Sequence, residues 1–295
     1  MYFTGFADEA SGNLDLQIKA TKELGWSNIE ARSLFGKNLG TMSDEEFETL
    51  QEKLSAAGVG INCYGSAVAN WANPITESPE KSYAELRTAL PRMQKLGTKL
   101  IRIMSFAVPQ ELKAKAWEFE DEVIKRLQTI VRMAEEAGVV CVHENCMNWG
   151  GLSYEHTLRL CDRLASSPAF RLVFDTGNPV FNDDYSKNPL KKQSSWEFYE
   201  KVRDFVVYIH IKDGKILPDG TMKFTFGGEG DGDVRRILTD AFSRGYDGGI
   251  SIEPHMNKVF HDPDASVNER LSYENYVEYG KRMMTMVDEI KKSIA

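Results

Sequence analysis

The stretch VVCVHEN, at residues 139–145, is the first of four short apolar runs that each carry a metal-binding side chain near their end. The other three are RLVFDTG (171–177), VVYIHIKD (206–213) and GGISIEPH (248–255). The side chains that share this position are Glu144, Asp175, His210 and Glu253. Short apolar runs rich in β-branched residues are typical of buried β-strands. The four side chains are therefore expected at the ends of four consecutive strands.

The spacing of these four side chains matches a repeating strand–helix unit. They are 31, 35 and 43 residues apart, about the length of one strand followed by one helix. Parallel strands joined in this way end on the same side of a sheet, so their last side chains converge. The sequence thus predicts one shared site built by four strand ends.

The same alternation of strand and helix runs through the first half of the chain. Four further strand candidates are YFTGFAD (2–8), NIEARSL (28–34), VGINCYG (59–65) and KLIRIMSF (99–106). Helical patterns with a period of about 3.6 residues lie between the strands. Several of these patterns end in a glycine before the next strand: Gly25, Gly58, Gly97, Gly138 and Gly245. Ser43 begins a capping box before the second helix.

Eight strands alternating with eight helices predict an α/β fold, a single (β/α)8 TIM barrel formed by residues 1–295 as one domain. An open doubly wound sheet is disfavoured, because its first strand is normally followed by a glycine-rich phosphate loop, and FADEASGNLD is not one. Four loops that follow strands are long: 66–80, 178–195, 214–233 and 256–270. The C-terminal face of the strands is therefore expected to carry long loops that cover a substrate.

Composition and charge restrict the class of protein. A chain of 295 residues with 42% apolar residues can bury a sizeable core. Its net charge of −8 disfavours nucleic acid as a partner, because phosphate binding needs a basic face. The N-terminal MYFTGFADEA does not resemble a secretory signal, and no apolar run is long enough to span a membrane. The four cysteines lack zinc-type spacing, which favours reduced thiols in a cytoplasmic protein.

The predicted site is rich in oxygen ligands. A single carboxylate at a strand end is often a helix cap, and a single histidine in an apolar run is often a hydrogen-bonded core residue. Four such residues at one position of consecutive strands are better explained by a shared metal, because charged side chains are rarely buried alone. Three carboxylates and one imidazole favour one divalent metal ion, Mn²⁺ first, with Mg²⁺, Co²⁺ and Zn²⁺ as alternatives.

These motifs resemble a known family. HEN, FDTGN, HIKD and ISIEPH, at the ends of the four quoted strands, are similar to the xylose-isomerase-like sugar phosphate isomerase/epimerase superfamily. FADE (6–9) and GGEGDGDV (227–234) also resemble that family, so the resemblance covers nearly the whole chain. Its members include ketose 3-epimerases, hydroxypyruvate isomerase, inosose isomerases and dehydratases, 3-keto-glycoside epimerases and type-IV AP endonucleases.

The resemblance implies roles for the four side chains. Glu144, Asp175, His210 and Glu253 would be the metal ligands, and Glu144 and Glu253 would also be the acid/base pair. A metal that chelates a carbonyl and the neighbouring hydroxyl acidifies the adjacent C–H bond and stabilises the enediolate that forms. Two carboxylates on opposite sides of the substrate would then move a proton from one face to the other, which is epimerisation. Transfer along one face would instead give aldose–ketose isomerisation.

Three side chains near the ligands are candidates for substrate binding. Many relatives carry a histidine where this chain has Asn178, an amide that can bind a hydroxyl but cannot carry a proton. Lys212 and His255 each follow a proposed ligand by two residues and so share its inward direction, although His255 could equally cap the next turn. In the second strand, Glu30 and Arg32 share a face and are predicted to form a buried ion pair within the barrel.

Four more candidates have equally ordinary structural explanations. Trp71 and Trp149 could stack on a sugar ring or simply pack in their loops. Arg102 could bind a substrate oxygen or a phosphate, or form a structural ion pair. Glu229 lies in the turn GGEGD and could reach the site or remain solvated.

The sequence favours a metal-dependent isomerase or epimerase that acts on a small molecule, namely a sugar, keto-sugar or keto-cyclitol. A keto-inositol-type dehydratase would use the same metal and carboxylates and remove a hydroxyl after the same proton abstraction. A non-catalytic carbohydrate-binding relative would not need both glutamates. An AP endonuclease would need more histidines than the five present and a less acidic chain. Whether the chain forms a homo-oligomer is left open.

Overall fold

Eight parallel strands follow one another around a barrel, as the sequence predicts. The computed structural model describes residues 1–256 and 268–294. The barrel strands, numbered in chain order, are β1 (Tyr2–Gly5), β2 (Asn28–Ala31), β3 (Gly60–Gly65), β4 (Leu100–Ile103), β5 (Val140–Glu144), β6 (Phe170–Asp175), β7 (Val206–Ile211) and β8 (Gly249–Ile252). Each strand from β2 to β7 pairs with the next, and β8 pairs with β1. A single bridge between Phe6 and Glu30 joins β1 to β2, so the barrel is nearly closed.

Helices connect the strands on the outside of the barrel. They are α1 (Leu14–Glu23), α2 (Asp44–Ala57), α3 (Glu80–Leu96), α4 (Glu120–Glu136), α5 (Tyr154–Leu164), the one-turn α6 (Asn178–Phe181), α7 (Ser195–Val202), α8 (Val234–Ser243) and α9 (Glu269–Ile294). The capping box predicted at Ser43 is present at the start of α2. All five glycines predicted to end helices have φ between 65° and 83°, where glycine is the least strained residue. Among the described residues, no helix has the length and apolar character needed to cross a membrane.

The interior of the barrel is partly apolar and partly polar. Near the middle of the strands, Cys63, Val142, Val173 and Tyr208 form a small apolar cluster. At the next level, Glu30 and other polar side chains are fully buried. Branched apolar residues normally fill the interior of such barrels. This polar level is therefore unusual, and it lies directly under the strand ends that carry the predicted site.

The loops at the C-terminal face differ in how much structure they contain. A 3-10 helical segment, Gln110–Phe119, occupies the loop after β4, which the sequence did not single out as long. The loop after β7 begins with a hairpin that pairs Gly214–Ile216 with Met222–Phe224. Asp213 organises the rest of that loop, because its carboxylate accepts four backbone N–H groups, three of them from the glycine-rich segment 227–233. Of the predicted loop 256–270, residues 257–267 lie outside the described residues.

One histidine on the outer side of the barrel is buried and neutral. His156 on α5 is fully buried, and its ring stacks on Trp117 with the ring centroids 3.8 Å apart. Its Nδ1 lies 2.8 Å from the hydroxyl oxygen of Ser153. Burial lowers the pKa of His156 from 6.5 to about 4. The folded chain therefore resists protonation of this ring over a range in which an unfolded chain accepts it.

We expect the free energy of unfolding to fall as the pH drops from about 6.5 to about 4, because over this window only the unfolded chain protonates His156. At about pH 4, protonation of His156 in the unfolded chain lowers the free energy of unfolding by about 3 kcal/mol. Urea unfolding of the wild type and of His156→Gln, compared at several pH values, measures it. Above pH 7 the difference between the two proteins should be constant, and towards pH 4 it should change in favour of the variant. A difference that stays constant down to pH 4 would contradict this expectation.

Candidate metal centre and active site

The four predicted metal ligands meet at the C-terminal mouth of the barrel. Glu144 and Asp175 are the last residues of β5 and β6, His210 is the penultimate residue of β7, and Glu253 follows β8 directly. All four side chains are buried, and one ligand atom from each lies within 4.8 Å of those from the other three. The alternation of side chains along the strands turns each of them inwards. The structure thus brings together the residues that the sequence placed at one point.

Two groups hold the Glu144 carboxylate. Arg102 donates from Nη1 to Oε2 at 2.7 Å, and Asn178 donates from Nδ2 to Oε1 at 2.9 Å. Burial alone would raise the pKa of Glu144, but the charges of Arg102 and His210 outweigh it and hold the pKa well below its usual range. Glu144 is therefore ionised. Arg102 therefore forms an ion pair, which was the second alternative that the sequence left open for it. Its partner is Glu144, a proposed acid/base residue.

Glu253 is held in a similar way on the other side of the mouth. Arg32 donates from Nη1 to Oε1 at 2.9 Å, and the Lys212 ammonium donates to Oε2 at 3.0 Å. His255 also approaches, with Nε2 at 3.5 Å from Oε1. Burial would raise the pKa of Glu253, but Lys212, His255 and Arg32 together keep it well below its usual range. Each proposed acid/base glutamate thus has one oxygen bound by an arginine. The second oxygen faces Asn178 in the case of Glu144 and Lys212 in the case of Glu253.

The predicted ion pair between Glu30 and Arg32 is wrong. Arg32 binds Asp8 at 3.0 Å in addition to Glu253, whereas Glu30 lies 3.1 Å from His210. The two side chains do point to the same face, but residues two apart along a strand are about 6.6 Å apart in height. Arg32 therefore reaches the mouth of the barrel, and Glu30 reaches the buried level below it.

Asp175 and His210 complete the cluster. Asp175 Oδ1 accepts the backbone N–H groups of Gly177 and Asn178 at 2.9 and 2.6 Å, and Oδ2 lies 3.1 Å from Lys212 Nζ. Burial raises the pKa of Asp175 to about 6, although Lys212 opposes the shift. His210 Nδ1 lies 3.9 Å from Glu144 Oε1, which is too far for a hydrogen bond, and it has no hydrogen-bond partner within residues 1–256 and 268–294.

This arrangement suits a divalent cation. The buried carboxylates in or beside the cluster are Asp8, Glu9, Glu30, Glu144, Asp175 and Glu253. Among the described residues, the cations that face them are Arg32, Arg102 and Lys212, and the imidazole of His255 lies against Glu9 and Glu253. Burial lowers the pKa of His210, but the carboxylates Glu30 and Glu144 raise it to about 10. A surplus of negative charge remains even if His210 carries a proton. A buried imidazole nitrogen without a hydrogen-bond partner among the described residues, beside a surplus of carboxylate charge, fits a divalent cation.

The structure also brings three of the proposed substrate-binding side chains to the cluster. Asn178 contacts Glu144, and Lys212 lies between Asp175 and Glu253. His255 lies 2.8 Å through Nδ1 from Glu9 and also approaches Glu253. Its backbone has φ 51°, a left-handed value that is rare outside glycine, and Glu9 accepts its backbone N–H at 2.7 Å. His255 is thus fixed by a carboxylate beside the mouth.

The remaining candidates are not part of the cluster. Trp149 is fully buried, and its indole N–H donates to the Ala116 carbonyl at 2.7 Å, so it offers no ring face to a substrate. Glu229 points away and pairs with Arg282 on α9 at 2.9 Å, because the neighbouring glycines turn their N–H groups towards Asp213. Trp71 is 55% exposed on the loop after β3. Trp149 and Glu229 are therefore packing and surface residues in this structure.

Sequence reasoning assigned no role to three residues that contact the arginines of the acid/base pair. The Phe6 ring lies between the two arginines, with its centroid 4.5 Å from the guanidinium carbon of Arg32 and 5.6 Å from that of Arg102. Asp8 and Glu9 follow Phe6 and both pair with Arg32. Their position could have revealed them, because these two acids follow β1 at the same end of the barrel at which β5 to β8 carry the proposed ligands.

A cavity of about 210 Å³ opens between the loops that follow β4, β5 and β6. Its lining includes Lys113, Met147, Phe181 and Tyr185. Phe181 lies on the same one-turn helix, α6, as Asn178, which contacts Glu144, so α6 both lines the cavity and touches the cluster. Aromatic, thioether and cationic groups thus line a space just outside the mouth of the barrel.

Comparisons with known proteins agree with this architecture. The family model for xylose isomerase-like TIM barrels matches residues 18–275. A 2-epi-5-epi-valiolone 7-phosphate 2-epimerase from Actinoplanes sp. is 29% identical over 206 residues, which are 69% of this chain and 68% of the relative. The crystal structure of a D-tagatose 3-epimerase-like protein superposes with a TM-score of 0.73 at 18% identity and full coverage of both chains. A xylose isomerase-like TIM barrel protein from Mycobacterium smegmatis, solved in complex with magnesium, has a TM-score of 0.65 at 18% identity and covers 92% of this chain and 88% of its own.

Proposed function

Since the chain belongs to the xylose isomerase-like TIM barrel family, we propose that it is a divalent-metal-dependent isomerase or epimerase of a keto-sugar or keto-cyclitol. The single observation that carries the proposal is the opposed pair of buried glutamates, each fixed by an arginine and each contributing to one cluster with Asp175 and His210. A protein that only binds sugars would not need this pair. The relative named as a 2-epimerase supports the same class of reaction.

Glu144, Asp175, His210 and Glu253 would hold the metal ion, and the three carboxylates favour Mn²⁺ over the alternatives Mg²⁺, Co²⁺ and Zn²⁺. A bound divalent ion would polarise the substrate carbonyl and stabilise the negative charge that develops on its oxygen. Lys212 lies about 3 Å from two of the ligand carboxylates. Its ammonium and the Asn178 amide are the donors available to substrate oxygens beside these carboxylates.

The two glutamates would move the proton. An ionised carboxylate on one side of the substrate removes the proton from the carbon beside the carbonyl. The glutamate on the other side, which has taken up a proton from solvent, donates that proton to the opposite face. This sequence inverts the configuration at that carbon. Arg102 and Arg32 hold Glu144 and Glu253 in position for these transfers. Because Asn178 cannot carry a proton, the pair must perform both transfers without a third acid/base group at that position.

Deuterium exchange tests the reaction class. During turnover in D₂O, a carbon-bound hydrogen of the substrate should exchange with solvent together with or faster than product formation, at the carbon that inverts. NMR of recovered substrate and product, over a panel of keto-sugars and keto-cyclitols, locates the exchanged position. The product should have the same composition as the substrate, and no nicotinamide should be needed.

Two results would change the assignment. A product lighter by one water, seen by mass spectrometry of the same incubation, would identify a dehydratase that uses the same proton abstraction. Turnover that leaves no solvent deuterium in substrate or product would count against an exchanging enediolate and point to a shielded one-base transfer or a hydride shift.

A further inference from the structure

Glu30 is a buried carboxylate on the far side of His210 from the cluster. It is fully buried on β2, and both of its oxygens are occupied. Oε2 accepts hydrogen bonds from the Tyr208 hydroxyl at 2.7 Å and from the Ser251 hydroxyl at 2.5 Å. Oε1 lies 3.1 Å from His210 Nε2. Three groups therefore converge on one carboxylate inside the barrel.

The hydrogen bonds fix where the proton between Glu30 and His210 resides. An ionised carboxylate is an acceptor only, and it can accept from all three neighbours at once. The two hydroxyl groups occupy Oε2, which leaves Oε1 of the carboxylate as the acceptor that faces His210 Nε2. His210 Nε2 therefore carries a hydrogen. When the ring is neutral, as a metal-binding imidazole must be, this leaves the lone pair on Nδ1, the atom without a hydrogen-bond partner among the described residues, on the Glu144 side.

The strand register shifts near both Glu30 and His210. The register between β2 and β3 shifts between Ile29 and Glu30, so that one residue of β3 has no partner. A second shift lies between β6 and β7, where Leu172 pairs with Val206 and Val173 with Tyr208. Such bulges change the direction of nearby side chains and are frequent beside active sites. A register shift thus lies beside Glu30 on β2, and another lies close to His210 on β7.

An apolar side chain would fill the position of Glu30 at lower cost. Burying a carboxylate costs several kcal/mol unless hydrogen bonds compensate, and barrel interiors normally avoid that cost with branched apolar residues. Here the fold supplies two hydroxyl donors and two register shifts around one acidic side chain. The cost of this arrangement indicates that the Glu30 carboxylate serves as the hydrogen-bond acceptor of His210.

We infer that Glu30 is the positioning residue of the metal centre, which holds the His210 ring in the tautomer and orientation that present Nδ1 to the ion. The inference rests on the proposed function, because it assigns Glu30 a role towards the divalent ion. A carboxylate behind a metal-binding imidazole fixes the ring and increases its basicity, and loss of such a partner typically weakens metal binding 10- to 100-fold. The same loss is expected for Glu30→Gln, since the uncharged amide can accept from Nε2 or donate to it.

Metal binding without substrate tests the inference. Titration with Mn²⁺ alone should give one site in the wild type and a dissociation constant about 10- to 100-fold higher in Glu30→Gln. Ser251→Ala is the matched control, because it removes a donor to Glu30 and leaves the contact with His210; its dissociation constant should stay within about threefold of the wild type. Equal Mn²⁺ affinity in Glu30→Gln and the wild type would overturn the inference and leave the proposed function intact.

A spectroscopic measurement on the wild type covers the case in which Glu30→Gln fails to fold. Protein labelled with ¹⁵N-histidine and loaded with Zn²⁺, which is diamagnetic, should show His210 with a protonated Nε2 and a metal-bound Nδ1. A metal-bound Nε2 would overturn the inference without any variant. A wild type that binds no divalent ion at all would instead overturn the proposed function, and the inference with it.

Discussion

Glu144→Gln and Glu253→Gln are each expected to lower kcat by about 10²- to 10⁴-fold, the contribution of a positioned acid/base group. Glutamine has the shape of glutamate and can still accept the hydrogen bond from Arg102 or Arg32, so the mouth of the barrel should keep its form. The amide oxygen can still coordinate a metal ion, but it cannot take up the substrate proton. Steady-state kinetics on the substrate identified by the exchange experiment measures the loss.

The two variants should also differ from each other in isotope exchange. In Glu253→Gln, Glu144 can still remove a proton from the epimer that presents its C–H bond to that side, so this epimer should take up deuterium without being converted. Glu144→Gln should give the opposite pattern. Glu229→Gln is the matched control, because this glutamate pairs with Arg282 outside the cluster and its variant should react at the wild-type rate. Near-normal kcat in either cluster variant would show that the opposed pair is not the acid/base machinery.

Asp175→Asn is expected to raise the dissociation constant for Mn²⁺ by more than about 100-fold, since loss of a direct ligand should exceed the cost of changing an outer partner. Asparagine can retain the Oδ1 acceptor for the backbone N–H groups of Gly177 and Asn178, so the start of α6 should stay in place. It replaces the charged Oδ2, beside Lys212, with an NH₂ group that cannot coordinate a cation.

Isothermal titration and elemental analysis of the purified protein measure this effect, with one ion per chain expected in the wild type. Asp183→Asn provides the control, because Asp183 pairs with Lys192 in the loop after β6 and should not affect the ion. Metal binding by Asp175→Asn with wild-type affinity would remove Asp175 from the ligand set.

The sequence predicted the parts of this molecule that depend on local pattern. Apolar runs, helical periodicity and glycine stops identified all eight barrel strands, and the equal placement of Glu144, Asp175, His210 and Glu253 at strand ends predicted their convergence. These features follow from the strand–helix repeat, in which position along a strand fixes position in the barrel. The fold class could therefore be predicted without knowledge of any loop.

The contacts that hold the cluster could not be predicted in the same way. Arg32 meets Glu253 across 221 positions of sequence, and whether it meets Glu30 instead depends on the height of each side chain in the barrel. That height depends on register shifts such as the one at Ile29, which leave no mark in the composition of a strand. The sequence could not decide between the two alternatives for Glu229, because its direction depends on Asp213, which binds the N–H groups of the glycines on either side.

The cavity outside the mouth and the cluster inside it belong to different parts of the chain. Barrel strands and the residues directly after them supply the four proposed ligands and both arginines, whereas loops supply Lys113, Met147 and Tyr185. Sequence changes in those loops can therefore alter which molecule fits without moving the groups that transfer the proton. The same barrel wall can then act on new substrates after exchange of the loops after β4 and β5 and of the part of the loop after β6 that follows α6.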